Sequence, residues 1–139
     1  MNDFTAFRAI AEGAPCLDLV RQEYRHAGQV TSAANVLFLQ IASDRWLRFC
    51  LDAGVFFWRE VAQPDAEFAD PSTTDVYVNL PVAGEGMRHS HVQSVELETV
   101  SPGTTVLRIG FATGAFCRLR STVTATSDAM DLEIGAGVA

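Results

Sequence analysis

Between residues 36 and 61 the chain reads VLFLQIASDRWLRFCLDAGVFFWREV. Three short apolar runs, rich in aromatic and β-branched residues, are separated by the turn-forming segments Ser43–Arg45 and Asp52–Gly54. That pattern predicts a three-stranded meander, because successive side chains of a strand point to opposite faces of its sheet. Three-residue loops at both turns keep the alternation in phase, so odd-numbered residues share one face. That face carries Leu37, Leu39, Ile41, Leu47, Phe49, Leu51, Val55 and Phe57 and is expected to form the main core. The even-numbered face carries Phe38, Gln40, Trp46, Arg48, Cys50, Phe56, Trp58 and Glu60. This register sets Gln40 across from Arg48, and Arg48 across from Trp58, where a cation–π contact is available.

The rest of the chain reads largely as strands. Residues 3 to 12 are expected to form a short helix, with Asn2 or Asp3 as N-cap, Phe4, Phe7, Ile10 and Ala11 on one face, and Gly13 at its end. CLDLVRQEY, from Cys16, fits either periodicity and is read as a strand. Residues 62 to 74, AQPDAEFADPSTT, form a loop of unusual length, followed by the strand-like DVYVNL. A second meander follows over 92–100, 105–111 and 116–126, its first turn at Pro102-Gly103-Thr104. Leu97 is then opposite Ile109, Val95 opposite Phe111 and Glu98 opposite Arg108, with Cys117, Leu119 and Val123 on the oily face and Arg118 and Arg120 outside. The C-terminal SDAMDLEIG suits an edge strand whose acidic residues discourage further pairing.

The expected fold is therefore mainly β, of α+β composition: an antiparallel β-sandwich or small flattened barrel of about eight or nine strands with one short N-terminal helix. One globular domain is expected over residues 1–139. A net charge of −7 argues against nucleic acid as a partner, which requires clustered positive charge. No apolar run approaches the roughly 18 residues of a membrane-spanning helix. Asp3 stands where a signal peptide would carry positive charge, so a cytoplasmic location is expected. Cys16, Cys50 and Cys117 are too scattered for a Cys-x-x-Cys motif and read as free thiols.

Two candidate sites emerge. Phe38, Trp46, Arg48, Phe56 and Trp58 on the even face are expected to be a ligand or interface surface, since four rings of about 150–250 Å² each exceed the apolar patch of a typical monomer. The N-terminal helix, a second copy of the chain or a small apolar ligand would each cover it. The expected function on this basis is a non-enzymatic binding or interaction protein, a homodimer without a cofactor. The other candidate is His89-Ser90-His91, whose imidazoles would sit about 7 Å apart on one face of a strand and chelate a cation. With Glu96 and Gly103 it spells His-x-His-x4-Glu-x6-Gly. That spacing resembles the first metal-binding motif of the cupins, small β-barrels whose members commonly bind a divalent transition metal through two His, a Glu and a further His. The resemblance implies a metal-dependent enzyme with His89, His91 and Glu96 as ligands. No histidine follows His91 to serve as the further one.

Overall fold

The computed structural model describes residues 3–84 and 86–135. Helix α1 (Phe4–Ala11) is followed by β1 (Asp18–His26), β2 (Gln29–Ala42), β3 (Arg45–Asp52), β4 (Val55–Val61), β5 (Phe68–Asp70), β6 (Asp75–Pro81), β7 (Val92–Ser101), β8 (Thr104–Phe111), β9 (Phe116–Val123) and β10 (Asp128–Gly135). A six-stranded antiparallel sheet, in the order β4-β3-β2-β1-β6-β5, packs against a four-stranded one, in the order β10-β9-β8-β7. The β-sandwich with one N-terminal helix is thus as the alternation predicts. The ambiguous segment after Pro15 is a strand, and the acidic C-terminal strand lies at a sheet edge. Two strands exceed the expectation: β2 begins well before Val36, and β5 forms within the long loop.

The main core lies between the sheets. Leu37, Leu39, Leu47, Phe49 and Leu51 meet Val95, Leu107, Ile109, Cys117 and Leu119, all buried. Helix α1 packs against β4 and β7, an edge strand of each sheet, and so closes one side of the sandwich. Its N-cap is Asp3, whose carboxylate accepts from the Ala6 amide at 3.1 Å. The chain after it ties the sheets together: Val92 N donates to Ala14 O at 2.8 Å, and Leu17 N donates to Gln40 O at 2.9 Å.

The turns are tighter than expected, and the faces change as a result. Asp52 pairs directly with Val55, leaving a two-residue loop of Ala53 and Gly54 with φ of 50° and 81°. Two successive positive φ values make the mirror-image turn whose twist matches a hairpin. The loop is one residue shorter than the three expected, so every side chain of β4 changes face relative to β3. Phe49 is opposite Trp58, and Arg48 is opposite Arg59 rather than Trp58. Phe56 and Trp58 therefore join the main core, while Val55 and Phe57 face outward.

The other two expected three-residue loops also shorten, without that consequence. Ala42 pairs with Arg45 and Ser101 with Thr104, but a bulge follows within each ladder. The bulge absorbs the odd residue and restores the original parity. Gln40 is then opposite Trp46 and not Arg48, and Glu96, not Glu98, is opposite Arg108, yet the inward and outward sets of β2, β3, β7 and β8 stay as predicted.

Strand order explains the long loop. β4 and β5 are opposite edges of the same sheet, so residues 62–67 must cross its whole outer face. Asp65 is the tie point: its carboxylate meets Arg48 Nε of β3 at 3.0 Å, and its carbonyl accepts from Asn79 Nδ2 of β6 at 2.7 Å. This strap runs over a second, smaller core of Val36, Phe38 and Trp46, with Val20, Cys50 and Val61 packed against it.

Candidate functional site

The aromatic face is divided between two covers. Phe7 of α1 packs its ring 5.0 Å from Phe56, 5.1 Å from Phe49 and 5.7 Å from Trp58, while Phe4 meets Phe56 edge-on at 5.3 Å. Trp58 Nε1 donates to Asp3 O at 2.8 Å, which satisfies its one polar atom. Phe38 and Trp46 are buried in the small core on the opposite side of the sheet. The five expected site residues thus do not share a surface, because the tight turn sends Phe56 and Trp58 inward. Arg48 alone of the five presents a charge on the outer face, and of the five only Arg48 and Trp58 line a common cleft.

Around Arg48 lies a cleft of about 650 Å³. Its origin is a split in the sheet. The β2–β3 ladder stops at Leu37 and Phe49, while β3 continues to Asp52 and β2 runs back to Gln29 against β1 and β10. Thr31, Ser32, Asn35 and Val36 line one wall, Arg48, Cys50 and Asp52 with Phe57 and Arg59 the other, and Asp128 and Met130 close one end. The ladder between β3 and β4 orders the outer side chains. Arg48 opposes Arg59, then Cys50 opposes Phe57, then Asp52 opposes Val55. The cleft is therefore cationic at one end, apolar in the middle and acidic at the other.

The electrostatics of the cationic end are unusual. Like charges directly across two strands are unfavourable, and among the described residues one carboxylate is ion-paired with this pair, Asp65 on Arg48. Arg59 is exposed and, among the described residues, forms no ion pair. Between the arginines and the acids, burial pushes the Cys50 thiol up, against the pull of Arg48. The thiol stays neutral at ordinary pH and adds polarisable surface rather than charge.

The histidine motif is placed differently. His89 sits in a turn with φ of 67°, not in a strand, and both His89 and His91 are exposed. His91 makes an isolated bridge with Pro15, and β7 begins only at Val92. A bulge at Gln93 brings Glu96 to the outward side, yet residues 92–95 separate it from His91, roughly 15 Å along the strand. Among the described residues no group of three or more His, Cys, Asp or Glu side chains is gathered for a metal ion. Glu96 opposes Arg108, whose guanidinium lies 4.8 Å over the Phe116 ring.

Alternation alone did not reveal Arg59, Phe57 and Asp65. The available signal was the Ala-Gly dipeptide at 53 and 54, which as a two-residue turn sets Arg59 beside Arg48. Compared with family models, with curated proteins and with solved structures, the chain matches none. No described helix is long and apolar enough to cross a membrane.

Proposed function

We propose that this is a small non-enzymatic binding protein, and that its ligand is an anion with an apolar body held in the cleft between β2 and β3. The observation that carries this reading is the Arg48 and Arg59 pair, opposed on one face at the mouth of the cleft with Phe57 one step along. Guanidinium groups are always charged and present fixed forks of donors that match a carboxylate or phosphate, so they recognise rather than transfer protons. A raised thiol at Cys50 suits a wall better than a nucleophile. The cleft's size is that of sites for small molecules. The three cysteines are free thiols, which favours a reducing compartment such as the cytoplasm.

A homodimer through the aromatic face loses its motivation, since α1 and the strap already cover those rings. The test is titration of the ¹⁵N-labelled protein with sodium benzoate, followed by amide shifts. Saturable shifts at Cys50 and Phe57, weakened about tenfold or more in Arg59→Met, are expected, because a charge-assisted hydrogen bond contributes about 1.5–3 kcal/mol. Shifts that stay linear, or an Arg59→Met variant indistinguishable from wild type, would remove the anion site.

A further inference from the structure

We infer that the ligand is a short extended peptide, of about three residues, with both termini free. This rests on the reading of the cleft as an anion site and adds the backbone to it. Where β2 leaves β3, the Cys50–Asp52 segment keeps strand geometry without its β2 partner, and that bare edge lines the cleft. An unpaired strand edge is a row of donors and acceptors at fixed spacing, the template to which an extended peptide adds. The segment is about 10 Å long at roughly 3.3 Å per residue, which matches a tripeptide.

Charge fixes the direction. A peptide carboxylate belongs beside Arg48 and Arg59, and its ammonium beside Asp52 and Asp128 at the other end. Its chain then runs antiparallel to β3, in the place that β2 vacates. With the central residue opposite Leu51, its side chain points inward as Leu51 does, toward Trp58 and Met130, which also line the cleft. The cleft carries a cationic end, an acidic end and a strand edge between them, and a zwitterionic peptide is complementary to all three. A simple carboxylate uses only the first.

The experiment is an NMR titration of the full chain with the tripeptide Ala-Leu-Ala, its C-terminal amide, its N-acetyl form and benzoate. Saturable shifts are expected at the Cys50, Leu51 and Asp52 amides with the free tripeptide. Affinity should fall about tenfold or more on capping either terminus, as when one charge-assisted contact is lost, and equally in Arg59→Met. Arg120→Met, on β9 and outside the cleft, should bind as wild type does. Benzoate or the N-acetyl peptide binding as tightly as the free tripeptide overturns the peptide inference and leaves the anion cleft standing. No saturable shift with either benzoate or peptide overturns both.

Discussion

Phe56 and Phe57 are neighbours of identical chemistry, and one turn decides their fates. Phe56 is 4% exposed under the rings of α1, whereas Phe57 is 38% exposed on the cleft wall. Truncating a buried phenylalanine removes its transfer free energy and leaves a cavity, at a cost of about 3–5 kcal/mol. Phe56→Ala should therefore lose about that much stability in urea unfolding, while Phe57→Ala should lose less than about 1 kcal/mol. Alternation with three-residue loops assigns the pair the other way round, so the two variants discriminate between the registers. The sequence made the inward set of β2 and β3 legible, because Leu37, Leu39, Leu47 and Phe49 are uniformly apolar whereas the alternate positions include Gln40 and Arg48. It did not do so for β4, where Val55, Phe56, Phe57 and Trp58 are apolar on both faces. Periodicity is silent where both faces are apolar.

At the scale of elements, turns and bulges carried the information that alternation lacked. Asn-Gly and Asp-Gly are the usual marks of the mirror-image hairpin turn, and here Ala-Gly takes the role twice, at Ala27-Gly28 between β1 and β2 and at Ala53-Gly54. Alanine in the left-handed region is strained by about 1–2 kcal/mol, and asparagine is more tolerant of it. Ala53→Asn should raise stability by about 0.5–1 kcal/mol, read as an increased midpoint of thermal unfolding. A lowered midpoint would mean that the backbone at residue 53 is not left-handed. The strap was legible only as a loop. That it ties down a second core follows from β4 and β5 being opposite edges, and strand order is not written in the alternation of any single strand. The candidate site shares this origin, because Arg48 and Arg59 become neighbours only through the β3–β4 ladder.

The whole molecule is a sandwich that encloses two of its three thiols. Cys16 and Cys117 are fully buried in the main core, and burial pushes both up to about 12 from an ordinary 9.0. The linkage has a definite sign. An unfolded chain releases these protons near pH 9, whereas the folded one holds them to about pH 12, so the unfolded state binds fewer protons across that window. Their contribution to stability is fully present below pH 9 and is lost as the pH climbs towards 12. For Cys117 the loss at about pH 10 is roughly 1.4 kcal/mol, one unit of protonation free energy. Unfolding free energies from urea titrations between about pH 7 and pH 10 should therefore fall on the alkaline side. The fall should be shallower in a Cys16→Ala, Cys117→Ala variant, which starts lower because of its cavities but has no buried thiols to titrate. Parallel pH profiles for the two proteins would mean that solvent reaches both thiols, and hence that α1 and the two sheets do not close over a common core.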